Sequence, residues 1–155
     1  MATLIRPAED RDVMSMAAIR AREWNNEDFW MARIAGYLGG TYSPQRALGP
    51  RAMFVAAHAD QVVGFVAGHL TRRFECDGEL QWINVVEDYR GQGIARKLVA
   101  AMMQWFSSKN ASRICVNVAA ENLVARRLYS QLGAAAMNNA WMVWNEIGRK
   151  ETLPP

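Results

Sequence analysis

A glycine-rich turn between a predicted strand and a predicted helix limits most strongly how this chain can fold. The turn is Arg90-Gly91-Gln92-Gly93-Ile94-Ala95. β-Branched residues precede it, and an apolar pattern of helical period follows it from Leu98 to Phe106. Glycines permit a tight turn, and a helix N-terminus adds unpaired N–H groups and a partial positive charge. This arrangement is typical of a binding site for an anion such as phosphate.

Two common phosphate-binding loops do not match these residues. A P-loop carries Lys-Ser or Lys-Thr after its last glycine, and neither pair follows Gly91 or Gly93. A dinucleotide-binding turn needs a third glycine for close packing of helix on strand, and Arg96 occupies that position. A turn that caps the following helix and binds no ligand remains open.

A second motif follows one predicted strand later, with Asn122, Ala125 and Tyr129 in the pattern N-x-x-A-x-x-x-Y. Asn122 and Tyr129 are about two helical turns apart, so we expect their side chains on one face of a helix. Gly133 is a typical residue for the end of that helix. A tyrosine hydroxyl here could donate a proton to a departing thiolate. The alternative is a tyrosine packed in the core with a satisfied hydroxyl.

Together the two motifs resemble those of the GNAT superfamily, the acyl-CoA-dependent N-acetyltransferases. The turn is similar to the superfamily's pyrophosphate loop, R-x-x-G-x-[GA], although Glu87 stands where many members have proline. The resemblance implies that the strand before the loop splays away from the next strand and binds the thioester and pantetheine through backbone amides. Carried onto this chain, it implies acetyl-CoA as co-substrate, bound by Ile83, Asn84, Val85, Arg90, Gly91, Gln92, Gly93, Ile94, Ala95, Arg96, Asn122 and Tyr129.

The resemblance also suggests catalytic residues. Strand periodicity predicts that Glu79, Gln81, Ile83 and Val85 share one face. Members of the superfamily often carry a glutamate or histidine at the positions of Glu79 or Gln81, and a glutamine cannot act as a base. We therefore expect Glu79 as the general base and Tyr129 as the acid. Three alternatives remain for Glu79. It could be a solvated carboxylate at the end of the strand, a base that acts through water, or a group that the reaction does not need.

Periodicity and turn residues predict a single domain over residues 1–150 and a frayed tail at 151–155. The predicted elements are a strand at Leu4-Ile5-Arg6, helices from Arg11 to Trp24 (capped by Asp10) and from Asp28 to Leu38, strands from Met53 to His58, Val62 to Arg72 and Glu79 to Val86, a helix from Ile94 to Ser107, a strand from Arg113 to Val118, a helix from Asn122 to Leu132, and two strands around Asn138-Asn139, the second from Trp141 to Ile147. The order β-α-α-β-β-β-α-β-α-β-β is that of the GNAT fold, an α/β fold with a mixed six- or seven-stranded sheet and helices on both faces.

Composition indicates which binding partners and which cell compartment suit this chain. The chain has 155 residues, of which 51% are hydrophobic, and lacks an apolar run of the length that spans a membrane. Its start has no apolar signal region, and Cys76 and Cys115 match no metal or redox spacing. We therefore expect a cytoplasmic protein without a metal. The net charge of +3 comes from scattered arginines rather than a basic stripe, which argues against nucleic acid as a partner.

The acceptor of the acetyl group is not readable from these residues. The resemblance suggests a primary amine of a small molecule or peptide, held among the first two helices, the loop to Arg51 and the last hairpin. A non-catalytic acyl-CoA-binding module and an acetyltransferase for a protein N-terminus or another macromolecule are the alternatives. Exposed edges of the last hairpin could support a homodimer.

Overall fold

A computed structural model describes residues 2 to 148. Its elements are β1 (Leu4–Pro7), α1 (Val13–Trp24), α2 (Glu27–Gly39), β2 (Ala47–His58), β3 (Gln61–Thr71), β4 (Gly78–Val85), α3 (Ile94–Ser108), β5 (Ile114–Asn117), α4 (Leu123–Gln131), β6 (Ala135–Ala136) and β7 (Trp141–Trp144). The order of strands and helices is the predicted one. Within this range the sheet has seven strands.

The sheet is mixed, and its strands lie in the order β1-β2-β3-β4-β5-β7-β6. The pairing of β4 with β5 is parallel, and the other pairings are antiparallel. A parallel pair needs a long crossover, and α3 provides it. In the described chain, β4 pairs with β5 only from Gly78 to Leu80. Beyond Leu80 the two strands separate, which confirms the expected splay.

The helices cover both faces of the sheet, as predicted. One core lies between the sheet and α3 with α4, where Leu98, Met102 and Phe106 of α3 are fully buried. The other lies between the sheet and α1 with α2, around Met16 and Tyr37. Helices therefore cover both faces of the sheet.

A β-bulge in β4 overturns the prediction that Glu79, Gln81, Ile83 and Val85 share one face. In the register with β3, Leu80 lies opposite Gly68 while Trp82 lies opposite Ala67, so Gln81 is an extra residue. The bulge shifts the alternation of side chains by one position. Glu79 and Trp82 point toward α2, whereas Ile83 and Val85 point toward α3.

Several boundaries also differ from the predictions. The first helix is preceded by one 3-10 turn at Asp10–Asp12, so Asp10 is not its cap. Asn26 caps α2 by accepting from the amide of Phe29 at 3.2 Å. The strand β2 begins at Ala47 and includes Pro50, which was predicted to lie in a loop. The strand β7 ends at Trp144 rather than at Ile147.

The remaining predictions concern a membrane span, a metal site, the two cysteines, a dimer and the tail. Over residues 2 to 148, no helix has the length and apolar character needed to span a membrane, and no group of three or more His, Cys, Asp or Glu side chains is placed to hold a metal ion. Cys76 and Cys115 are buried and form no disulfide. Dimerisation stays a prediction, although β6 does lie at the sheet edge. The predicted tail at 151–155 lies outside the described residues.

Candidate active site

A cavity of about 940 Å³ opens where β4 and β5 separate. Its walls come from β4, the glycine-rich turn, β5, α4 and the end of α1. With the exception of the exposed Gln92, it brings together every residue predicted for the site: Glu79, Ile83, Asn84, Val85, Arg90, Gly91, Gly93, Ile94, Ala95, Arg96, Asn122 and Tyr129. Cavities of this size are typical of small-molecule sites.

The separation of the strands leaves backbone groups of β4 facing the cavity. The amide of Val86 donates to the carbonyl of Val63 at 2.8 Å, so it points toward β3. Because backbone groups alternate between the two edges of a strand, the amides of Ile83 and Val85 point to the open edge, and that of Asn84 points to β3. Two of the three predicted backbone positions can therefore reach a ligand, and Asn84 presents its side chain instead.

The glycine-rich turn leaves a row of free amides beside the cavity. Gly91 and Gly93 have φ of 79° and 82°, a conformation that strongly favours glycine. Gly93 is the N-cap of α3, and its carbonyl accepts the first helical hydrogen bond from Lys97 at 3.1 Å. Among the described residues, no backbone carbonyl accepts from the amides of residues 91 to 96. Free amides at a helix N-terminus are the arrangement that favours a bound anion.

The Arg90 side chain is already engaged by protein groups. Its Nε donates to the carbonyl of Val85 at 2.9 Å, and its Nη2 donates to Glu23 Oε1 at 2.9 Å. The first bond uses a carbonyl on the open edge of β4 and ties the turn to the strand. The second joins the turn to α1 across the mouth of the cavity. Arg90 thus links the turn to β4 and α1 and also places a positive charge beside the turn.

The two motif residues of α4 have different environments. Asn122 precedes the helix and caps it, since its Oδ1 accepts from the amide of Ala125 at 3.2 Å. The helix thus begins one residue later than predicted, and Asn122 and Tyr129 both line the cavity. Tyr129 is buried and packs edge-on against Trp144. Burial raises the pKa of its hydroxyl above the ordinary value, so Tyr129 keeps its proton at neutral pH.

Glu79 lines the cavity but is only 5% exposed. Its Oε1 accepts from Arg73 Nε at 3.1 Å and lies 3.9 Å from His69 Nε2. Burial raises the pKa of the Glu79 carboxyl, and the Arg73 charge and hydrogen bond oppose that rise. A carboxylate with a raised pKa inside a cavity is what a general base near neutral pH requires.

Sequence reasoning missed three cavity residues at the end of α1: Arg20, Glu23 and Trp24. Arg20 lies at helical spacing from Met16 and Ala17 of α1, both of which are buried. Its Nη1 donates to Asn84 Oδ1 at 2.8 Å, and its guanidinium stacks on Trp24 and Trp30. Burial lowers the pKa of Arg20 to about 10, so it stays charged. An arginine on an apolar helix stripe was the available signal, because such a cation needs a nearby partner.

The fold and the site together define a class of acyl-group transferases. The chain matches the model of the Acetyltransferase (GNAT) family over residues 14–134 and belongs to that family. PaiA N-acetyltransferase from Thermoplasma acidophilum, solved in complex with coenzyme A, has a similar fold, with a TM-score of 0.71, 13% identity and coverage of 94% of this chain and 99% of that one.

Two characterised relatives are similar in sequence over part of their length. N-alpha-acetyltransferase 30 of Schizosaccharomyces pombe is 31% identical over 86 residues, which is 54% of this chain and 57% of that protein. Aminoglycoside N(6')-acetyltransferase type 1 of Salmonella typhimurium is 25% identical over 88 residues, which is 53% of this chain and 61% of that protein. The chain thus spans about three fifths of the length of these relatives.

Proposed function

We propose that this chain transfers an acetyl group from acetyl-CoA to a primary amine of a small molecule or peptide. The observation that carries the proposal is the single cavity at the split between β4 and β5. It joins an anion-binding turn, open-edge amides, a buried carboxylate and a buried phenol. Each of these groups matches one part of an acetyl-CoA-dependent amine acetylation.

The donor is held by backbone groups in this proposal. The amides of residues 91 to 96 bind the pyrophosphate, and Arg90 and Arg96 add positive charge beside it. The open-edge amides of Ile83 and Val85 bind the pantetheine arm and the thioester carbonyl. An N–H group aimed at that oxygen stabilises the negative charge that develops on it during attack.

Glu79 and Tyr129 move protons in the proposed reaction. Glu79 takes a proton from the acceptor ammonium, directly or through water, and later releases it to solvent. The neutral nitrogen attacks the thioester carbon, and the C–S bond breaks. Tyr129 donates its proton to the sulfur and regains one from the nitrogen, so the products are the acetylated amine, CoA thiol and one proton.

A non-catalytic acyl-CoA-binding module is the alternative from a different class. It would need the turn and the open-edge amides, but it would have no use for a carboxylate with a raised pKa in the same cavity. The similarity to an N-alpha-acetyltransferase also keeps an acceptor at a protein N-terminus as a second possibility within the enzyme class.

Thiol release from acetyl-CoA tests these proposals, first with a panel of small primary amines and then with peptides. We expect turnover by the unmodified chain with at least one acceptor. Tyr129→Phe should lower kcat about tenfold or more while leaving CoA affinity unchanged. Tyr42→Phe is the matched control, because Tyr42 lies outside the cavity lining and stacks on Arg33.

The two function classes give different results in this assay. CoA binding by calorimetry without turnover on either panel would support the binding module. Turnover on peptides alone would favour a protein N-terminus as the acceptor. A Tyr129→Phe variant as active as the Tyr42→Phe control would remove Tyr129 from the proton transfer.

A further inference from the structure

A chain of buried polar side chains lies behind the Glu79 carboxylate. His69 of β3 stands directly opposite Glu79 of β4 in the strand register. On its other side, His69 Nδ1 lies 2.9 Å from the Tyr37 hydroxyl of α2. His69 and Tyr37 are completely buried, with 0% exposure. The cavity reaches Glu79 but neither of these two side chains.

The environment of His69 determines which ring nitrogen carries its proton. Burial, and after it the charges of Arg51 and Arg73, lowers the pKa of His69 to about 4. The ring is therefore neutral near pH 7 and has one N–H group. Burial raises the pKa of the Tyr37 hydroxyl above its ordinary value, so this group keeps its hydrogen.

The position of Glu79 favours one tautomer. His69 Nε2 is buried, has no hydrogen-bond partner within residues 2 to 148, and lies 3.9 Å from Glu79 Oε1. A lone pair on Nε2 would face the carboxylate oxygen and be repelled, whereas an N–H dipole would be attracted. The Tyr37 hydroxyl then donates to Nδ1, and Nε2–H points at Glu79.

The two carboxylate oxygens of Glu79 have different contacts. Arg73 and His69 both approach Oε1. No group among the described residues forms a hydrogen bond with Oε2. Oε1 thus contacts protein groups, whereas Oε2 is available to a ligand in the cavity.

We infer that His69 is a positioning residue for Glu79, and that Tyr37 fixes the His69 tautomer that presents Nε2–H to Oε1. This inference rests on the proposed function, in which Glu79 accepts the proton of the acceptor ammonium. The His69 N–H stabilises the charged carboxylate without adding a charge of its own. It also keeps Oε2 directed toward the acceptor.

The other ionisable groups around Glu79 are either engaged with backbone carbonyls or neutral, so they do not replace His69. Arg73 comes from the β3–β4 connection and shares its guanidinium with the carbonyl of Gln45. Arg51 of β2 donates to the carbonyls of Tyr37 and Tyr42 rather than to Glu79. From the other side, Cys115 of β5 pairs with Glu79 in the strand register. Burial raises the pKa of the Cys115 and Cys76 thiols, so both are neutral.

Nuclear magnetic resonance with isotope-labelled histidine and glutamate tests the inference without using activity. The ¹⁵N shifts of His69 report its tautomer, and the carboxyl ¹³C shift of Glu79 reports its titration. Glu79→Gln identifies the Glu79 signal. We expect His69 to carry its proton on Nε2 in the unmodified chain and to become a mixture of tautomers in Tyr37→Phe.

The titration of Glu79 should shift in a graded series of variants. His69→Leu removes the donor and should raise the Glu79 midpoint by about one pH unit. Tyr37→Phe, which keeps the ring that packs against Trp82, should raise it by about half as much. His69→Gln retains an N–H donor near the position of Nε2 and should shift it least. The acidic limb of the kcat/KM profile should move with these midpoints.

The outcomes separate this inference from the proposed function. A proton on Nδ1 of His69, a Glu79 midpoint unchanged in Tyr37→Phe, or a shift in His69→Gln as large as that in Tyr37→Phe or His69→Leu would overturn the positioning role. If the midpoints shift as expected but Glu79→Gln keeps full activity, His69 does position Glu79 and it is the base assignment that fails. Should His69→Leu not fold, Tyr37→Phe and His69→Gln carry the test alone, with thermal unfolding midpoints measured alongside.

Discussion

Two buried carboxylates in this molecule have almost the same exposure and opposite pKa shifts. Asp12, at the N-terminal corner before α1, is 4% exposed, and Glu79, in the cavity, is 5% exposed. Each has an arginine within hydrogen-bond distance. The pKa of Asp12 is nevertheless lowered and that of Glu79 is raised. Burial and a cationic neighbour do not by themselves decide what a carboxylate does.

The difference lies in the number of donors and in the desolvation of each carboxylate, which is the largest influence on the pKa of Glu79 and only the second largest on that of Asp12. Asp12 accepts two bonds from Arg6, at 2.8 and 2.9 Å, and a third from the amide of Glu9 at 2.8 Å. Glu79 accepts one bond, from Arg73 at 3.1 Å. Three charge-assisted bonds outweigh desolvation at Asp12, and one does not at Glu79. A fully paired carboxylate stabilises the fold, and an under-paired one in a cavity is ready to accept a proton.

The largest expected effect of this difference is on catalysis. Glu79→Gln should lower kcat/KM about 10²- to 10³-fold, because it removes the proposed general base while preserving shape. The acidic limb of the pH–rate profile should disappear. Asp12→Asn is the matched control and should change kcat/KM less than about threefold per folded molecule, since Asp12 lies outside the cavity lining. Steady-state kinetics from pH 5 to pH 9 with a substrate found in the panels would measure both.

Equal losses of kcat/KM in Glu79→Gln and Asp12→Asn would contradict the distinction between the two carboxylates, because both substitutions would then act through the fold. If the Glu79→Gln variant retains the acidic limb of the pH–rate profile, Glu79 is not the base, and the acceptor must bind as a neutral amine. Calorimetric titration with CoA should give the same affinity for both variants. That result ties any loss of activity to the chemical step.

The second effect, on stability, should run in the opposite order. Asp12→Asn breaks a buried pair whose partner, Arg6, is 21% exposed, and should cost about 2 to 3 kcal/mol of unfolding free energy at pH 7. Glu79→Gln removes a carboxylate that is harder to ionise in the folded state, so this variant should be at least as stable as the unmodified chain. Urea unfolding followed by tryptophan fluorescence would measure both. A larger stability loss for Glu79→Gln than for Asp12→Asn would contradict the donor-count argument.

Changing the pH should sharpen the comparison further. The folded pKa of Asp12 lies below its ordinary value of 3.8, so its contribution to stability is present above that value and is lost as the pH falls through the folded pKa. The folded pKa of Glu79 lies above 4.5, so the stability tied to its protonated form is present below 4.5 and is lost as the pH rises through the folded pKa.

These signs give two different pH windows. The deficit of Asp12→Asn relative to the unmodified chain should shrink below about pH 4. The advantage of Glu79→Gln should be greatest above the folded pKa of Glu79 and should vanish toward pH 4. Urea unfolding at half-unit pH steps would resolve both trends. An advantage of Glu79→Gln that grows toward low pH would mean that the Glu79 pKa is lowered instead.

The sequence predicted the fold well because the relevant signals are local. Turn residues and periodicity place each element, and the order of elements then restricts the topology. The glycine turn and Tyr129 were also found from local motifs. Side-chain direction within β4 was not, because the extra residue at Gln81 is fixed by pairing with β3 and leaves no mark on apolar alternation. One bulge moved Glu79 to the face opposite Ile83 and Val85.

The surroundings of Glu79 depend on contacts that are distant in sequence. Tyr37 and His69 are 32 residues apart and meet only because α2 packs on β3. Arg20 and Asn84 are 64 residues apart and meet across the cavity. A residue's type indicates that it needs a partner, but the sheet register decides which partner it receives. The carboxylate itself could therefore be predicted, whereas its donors and its pKa could not.

The smallest expected effect is at a third carboxylate, Glu23, which extends the comparison to a solvated pair. Glu23 and Arg90 form an ion pair 2.9 Å long with side chains 46% and 54% exposed. Such pairs contribute about 0 to 1 kcal/mol, so Glu23→Gln should change the unfolding free energy by less than about 0.5 kcal/mol. It also removes a negative charge beside the glycine-rich turn and weakens the hold on Arg90. We expect CoA affinity to rise about two- to threefold at low salt, and calorimetry at low and high ionic strength would measure it. A weaker affinity in this variant would mean that Arg90 serves CoA best when Glu23 holds it in place.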